Sequence, residues 1–283
     1  MTGLAFALVI ASAVMHATWN LLAKRVGGGM AVVWLFSTVS AVVYLPLAIA
    51  VFLIQQPTIG GREVLFLGGS VALHIAYYFL LQRGYRSGDL SLVYPLARGT
   101  GPVLAVFGAI LLLSERPSPG AFAGAVLVSI GVFILAGNVR SNPNGVAIAY
   151  GLSCGLSIAA YTLWDKEAVS TLMIPPVILT WVGNAALAVV LLPAALQSRK
   201  VVHDAWHHHR RAVIGIGVLD SLGYILFLIA LSFSSVSLLA PLRQTSILIG
   251  AFMGVRLLSE DASRRRLVAA GVILVGVVAL ALG

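Results

Sequence analysis

The sequence predicts an all-α integral membrane protein: ten transmembrane helices forming two inverted five-helix repeats around a central cavity. Composition is the first reason. Of 283 residues, 60% are hydrophobic and 10% charged, with a mean hydropathy of +1.02. A soluble domain averages about 45–50% apolar and about 25% charged residues, so soluble enzymes, nucleic-acid-binding domains and disordered chains fit poorly. The second reason is a series of ten apolar stretches, each near the ~20 residues a membrane helix needs. The third is an internal repeat. The single cysteine, Cys154, excludes an intramolecular disulfide framework and a multi-cysteine metal site.

The expected spans run through residues 3–23, 30–54, 63–82, 90–113, 119–137, 145–164, 174–196, 212–231, 235–255 and 267–282. Met1–Gly3 carries no basic residue and the run after it is span-length, so a cleaved signal is not expected. Span 1 carries Ser12, His16 and Asn20 at four-residue spacing, with Trp19 alongside. Span 3 does the same with His74, Tyr78 and Gln82, beside Tyr77. Span 4 holds Tyr94, Pro95 and Arg98. Span 6 offers Ser157, Tyr161 and Trp164; span 8 places Tyr224 four residues after Asp220. Span 9 combines Pro241, Arg243, Gln244 and Thr245. A spacing of four puts side chains on one helix face, and a polar stripe in hydrocarbon must face protein or water.

Most of the 18 Lys and Arg fall in links on one side: Lys24, Arg25, Arg83, Arg86, Arg140, Arg199, Lys200, Arg210, Arg211, Arg256 and Arg264–Arg266. Arg62, Arg116 and Lys166 lie on the other. Positive links mark the cytoplasmic side, which puts both termini outside. The net charge of +9 then reads as a topology signal and a lipid contact, not a nucleic-acid site. The link over residues 197–211 holds His207–His209; a solvated loop is the expectation there, and no metal.

Residues 1–140 and 141–283 are the expected repeats. Gly3-Leu-Ala-Phe-Ala matches Gly145-Val-Ala-Ile-Ala, and Leu21 and Lys24 match Leu163 and Lys166. Ser91-Leu-Val-Tyr-Pro-Leu matches Ser237-Leu-Leu-Ala-Pro-Leu; Leu112-Leu-Ser-Glu matches Leu257-Leu-Ser-Glu; Gly131 matches Gly276. Two copies of an odd number of spans must sit in opposite orientations, an architecture of secondary transporters.

Met15-His-Ala-Thr-Trp-Asn20 followed by Lys24, the Tyr94-Pro-Leu96 and Ala240-Pro-Leu242 helices, and Ser114-Glu115 before a glycine-containing helix resemble the EamA family of the drug/metabolite transporter superfamily. The resemblance spans nearly the whole chain. It implies a ten-helix exporter of small metabolites in the bacterial cytoplasmic membrane, closest in type to the aromatic amino-acid exporters. Members are usually described with both termini inside; the Lys/Arg count here says outside, and the count is followed.

The sequence shows three formal charges deep in spans: Arg98, Asp220 and Arg243. A central charge costs about 2.5–3.5 kcal/mol on insertion scales, so such groups face a wet cavity or pair with one another. One acid against two arginines leaves a surplus positive charge suited to a ligand carboxylate. The alternative is that Asp220 clamps one arginine to lock the halves. The expected substrate-binding residues are His16, Trp19, Asn20, His74, Tyr78, Gln82, Tyr94, Arg98, Tyr161, Asp220, Tyr224, Arg243 and Gln244, with Pro95 and Pro241 as hinges. Helix–helix glue and packing kinks are the competing readings of the stripes and prolines. Trp164 and Tyr85 read as interfacial anchors, and the glycines of spans 4, 5 and 10 as packing.

No catalytic motif, phosphate loop or cofactor site is visible, so an enzyme is not expected. The reading is a secondary transporter, able to act as a monomer, that exports amino acids, aromatic and other neutral ones, by alternating access. Proton coupling through Asp220, His16 or His74 and uncoupled export are both open. Alternatives are a phosphate-sugar or nucleotide-sugar carrier, or an intramembrane lipid-modifying enzyme built on Asp165 and Glu167.

Overall fold

The computed structural model describes residues 2–27, 29–87, 90–136, 145–258 and 264–282. Among them every regular element is helical: α1 (Gly3–Val26), α2 (Met30–Gln55), α3 (Gly61–Ser87), α4 (Leu90–Leu112), α5 (Pro119–Ala136), α6 (Gly145–Ser170), α7 (Pro176–Val190), α8 (Leu192–Gln197), α9 (Arg199–Phe233), α10 (Val236–Leu242), α11 (Thr245–Leu258) and α12 (Arg264–Leu282). α1, α2, α3, α6 and α9 are long and apolar enough to cross a membrane; α7 and stretches of α4, α5 and α12 are shorter apolar helices. Leu53, Ile54, Leu111, Leu112 and Leu282 stand exposed on their outer faces. An apolar surface of this extent marks membrane contact.

Several helix boundaries depart from expectation. The sixth stretch does not stop at Trp164 but runs to Ser170, so the charged triplet Asp165-Lys166-Glu167 lies inside α6. The seventh breaks at Leu191 into α7 and α8, where Pro193 stands in the first turn of α8, the one part of a helix that tolerates its missing donor. The expected loop over residues 197–211 is largely helix and opens α9, which bends at His209 (φ −130°, ψ 22°). Its polar sequence hides an apolar face, with Val202 and Ala205 packed against Leu35 and Val213.

The ninth stretch breaks after Pro241. α10 ends at Leu242 and α11 begins at Thr245. Proline removes a donor, and the chain tightens there: Gln244 N–H bonds Pro241 O at 2.9 Å and Ile247 N–H bonds Gln244 O at 2.9 Å. α4 carries Pro95 and continues as helix through it.

Close helix approaches depend on small residues. A Cβ on Gly124 would lie 2.7 Å from Gly276 O, and one on Gly276 2.8 Å from Gly124 O. A Cβ on Gly131 would lie 3.1 Å from Ala269 O. These contacts run in opposite chain directions, so α5 and α12 are antiparallel. Gly99, Gly101 and Gly108 in α4 meet Phe133, Ile158 and Leu163, whereas Gly271 has open space around it and is not a packing glycine. α1 runs antiparallel to α9, where Ser12 Oγ donates to Gly223 O at 2.6 Å and Leu22 lies against Gly215. α3 runs antiparallel to α6, with Gly69 against Trp164 and Gly84 against Tyr150.

Candidate functional site

The helices surround a central cavity with about 140 Å³ of water-accessible space. α1 brings His16 and Trp19; α3 brings Ser70, His74, Tyr77 and Tyr78; α4 brings Arg98; α6 brings Tyr161. α7 adds Thr180, Gly183 and Asn184, α9 adds Asp220, Ser221 and Tyr224, and Arg243 comes from the break between α10 and α11.

Arg98 and Arg243 are placed differently. Arg98 Nη2 donates to His16 Nε2 at 2.5 Å. An arginine has only donors, so Nε2 is the bare nitrogen and His16 carries its proton on Nδ1. The Arg243 guanidinium lies 4.5 Å from the Phe227 ring centroid and 5.2 Å from that of Tyr224, within cation–π range. Among the described residues no ion pair joins Asp220 to either arginine. A carboxylate and two guanidiniums thus share the cavity. Aromatic faces complete the wall: His74 stacks on Tyr161 at 4.3 Å, with Tyr77 edge-on to Tyr161 at 5.9 Å.

Sequence reasoning missed Asp165. It is fully buried, accepts a hydrogen bond from the Tyr224 hydroxyl through Oδ2, and has His74 Nε2 3.9 Å from that same oxygen. The hydropathy drop at Asp165-Lys166-Glu167 assigned it to a link, and with it to a surface acid pair with Glu167. Its spacing of four from Tyr161, itself four from Ser157, was the signal that extends the polar face of α6. Asp165 adds a second acid to the charged groups of the bundle: it is buried, like Arg98, whereas Asp220 and Arg243 are partly exposed on the cavity wall.

His16, Trp19, His74, Tyr78, Arg98, Tyr161, Asp220, Tyr224 and Arg243 are brought together around the cavity. Asn20, Gln82 and Gln244 do not line it. Asn20 turns back to its own helix, with Nδ2 donating to His16 O at 2.7 Å. Gln244 is buried, with Nε2 3.5 Å from Ala240 O. Gln82 is partly exposed on α3. The side chains of Tyr94 and Pro95 lie outside the described residues.

Trp164, expected at the membrane interface, packs against α3. Its Nε1 donates to Phe66 O at 2.9 Å, its ring stacks on Phe66 at 4.4 Å, and it fills the space beside Gly69. Nearby, Lys166 Nζ donates to Leu231 O at 2.7 Å and Ser234 O at 3.1 Å, capping the end of α9. Glu115 accepts from Val236 N–H at 2.7 Å and Ser237 N–H at 2.9 Å, capping the start of α10. Far from this cavity, His203 and His207 stack on the first part of α9 at 4.1 Å; among the described residues no three-ligand metal cluster forms.

A family model described as the EamA-like transporter family matches this chain twice, over residues 3–137 and 145–282. No curated protein gives a match. A crystal structure of another protein superposes with a TM-score of 0.83 over 100% of this chain and 98% of that one, at 16% identity. At that identity the likeness is one of fold.

Proposed function

The chain belongs to the EamA-like transporter family of the drug/metabolite transporter superfamily, and on that premise we propose that it exports amino acids, aromatic and other neutral ones, across the bacterial cytoplasmic membrane. The supporting observation is the cavity itself, where Asp220 faces Arg98 and Arg243 with no ion pair between them. A zwitterion satisfies both signs at once: its carboxylate takes a guanidinium through paired N–H donors, and its ammonium takes Asp220. Trp19, Tyr77, Tyr78 and Tyr161 supply flat apolar faces for the side chain.

The same reading takes the repeats as inverted and the spans as ten. The antiparallel α5–α12 contact supports inversion, because these are corresponding helices of the two matched segments. The five long apolar helices, the four shorter ones and the α10–α11 pair together support the count. Alternating access then rocks one repeat against the other, with the break after Pro241 as a bending point.

The test is counterflow of radiolabelled phenylalanine, methionine and threonine in proteoliposomes. Saturable uptake that falls at least tenfold in Arg98→Gln and Asp220→Asn, and for phenylalanine in Tyr78→Ala, is expected. A folded protein that moves no amino acid but exchanges sugar phosphates would replace this substrate with the anionic one.

A further inference from the structure

Asp165 and His74 face each other in an arrangement that lacks one hydrogen. His74 Nδ1 lies 2.9 Å from Ser70 O. A backbone carbonyl only accepts, so Nδ1 carries the ring hydrogen and neutral His74 presents a bare lone pair at Nε2. His74 Nε2 lies 3.9 Å from Asp165 Oδ2. The carboxylate is itself acceptor-only when ionised. Two acceptors therefore stand near each other, and among the described residues Asp165 Oδ1 has no hydrogen-bond partner. An unsatisfied buried acceptor is costly.

We propose that Asp165 and His74 together bind one proton, and that this pair is the coupling site of the transporter. The step is a simple transfer. A hydronium ion in the cavity gives its proton to the pair and leaves as water; the proton then sits on Nε2 or on the carboxyl and bridges the two. His74 lines the cavity, whereas Asp165 does not, so the imidazole is the entry and the carboxylate the buried partner.

The surroundings suit a proton better than a metal ion. Around the cavity that His74 lines stand Ser70, Tyr77 and Tyr78 of α3, Tyr161 of α6, Asp220 and Tyr224 of α9, Arg243 at the α10–α11 break, Arg98 of α4 and His16 of α1, and Lys166 follows Asp165 in α6 with its Nζ on the end of α9. Three of these are fixed cations, and one face of the site is an imidazole ring stacked on Tyr161. Sodium would need several oxygens instead.

The pair also connects to α9. Asp165 holds the Tyr224 hydroxyl of α9, and the next residue, Lys166, caps the end of α9. Gaining or losing the proton changes the charge one residue from that cap. The inference rests on the chain being a transporter, not on its substrate.

Infrared difference spectra of the purified, substrate-free protein in nanodiscs, between alkaline and acidic buffer, read the site directly. A protonated-carboxyl band is expected on acidification. It should disappear in Asp165→Asn, persist in Asp220→Asn, and shift its midpoint in His74→Gln. Thermal unfolding checks that each variant is folded; if Asp165→Asn is not, the His74→Gln midpoint decides. A band unchanged in Asp165→Asn, an unmoved midpoint in His74→Gln, or a band that follows sodium rather than pH overturns the proposal. In proteoliposomes with trapped pyranine, an amino-acid gradient should move protons in wild type and not in Asp165→Asn. Proton movement absent from wild type while amino acids still cross overturns the coupling. A carboxyl band without any amino-acid flux would instead overturn the substrate.

Discussion

Two helix crossings stand at corresponding positions of the two matched segments and are packed differently. In one, Trp164 of α6 lies on Gly69 of α3, stacks on Phe66 and bonds its carbonyl. In the other, Leu22 of α1 lies on Gly215 of α9. Leu22 and Trp164 are 142 residues apart, Gly69 and Gly215 146 apart, and Phe66 corresponds to Ala212. The same helix crossing thus carries a stacked, hydrogen-bonded indole in one copy and a single isobutyl group in the other. A repeat duplicates the geometry of a helix crossing; the residues decide how tightly it packs.

The cavity walls diverge in the same way. His74 and Tyr78 of α3 correspond, at a separation of 146, to Asp220 and Tyr224 of α9, and Trp19 corresponds to Tyr161 at 142. One repeat presents an imidazole where the other presents a carboxylate. The cavity therefore has two chemically distinct faces from one fold.

Substitutions can sharpen this comparison. Gly69→Ala should be the most damaging, because its Cβ would lie 2.4–2.7 Å from three atoms of the Trp164 ring; overpacking of this kind costs about 1–3 kcal/mol, read as a lower melting temperature. Glu115→Ala should follow. It strips two N–H groups at the start of α10 of their acceptor, a loss of roughly 1–3 kcal/mol, and Glu115→Gln should recover part of it. Trp164→Leu makes the two crossings alike; it should lower stability and raise the labelling rate of a cysteine at Ser70 in a Cys154→Ser background, and an unchanged rate would overturn the tighter packing at Trp164. The smallest effect is expected from Gly215→Ala, whose Cβ meets only the terminal methyl of Leu22 at 2.8 Å. If its melting temperature falls as far as that of Gly69→Ala, the asymmetry drawn here is wrong.

The all-helical architecture was legible because hydropathy and the repeat point the same way, and spacing of four gathered His74 with Tyr78 and Asp220 with Tyr224 onto the cavity. The same rule misled at Asn20. A short amide can bond a carbonyl one turn back, and Asn20 does so with His16 O instead of facing a ligand. Hydropathy alone misled at Asp165: three consecutive charges read as a link, although Tyr224, His74 and the end of α9 hold Asp165 and Lys166 inside the helix bundle. Pairing between distant helices supplies that compensation, and it leaves no trace in a local window. The kinked start of α9 hid for the opposite reason, since its histidines and arginines outnumber the few apolar residues that bury.

The α5–α12 crossing carries one more implication. Gly124 against Gly276 and Gly131 against Ala269 are a single contact seen twice, because Gly131 and Gly276, like Gly124 and Ala269, stand 145 residues apart. A contact that is its own image under exchange of the repeats does not have to change when the two repeats trade roles. Backbone held against backbone there can act as an axle: stationary while the rest turns, and intolerant of even one added methyl group.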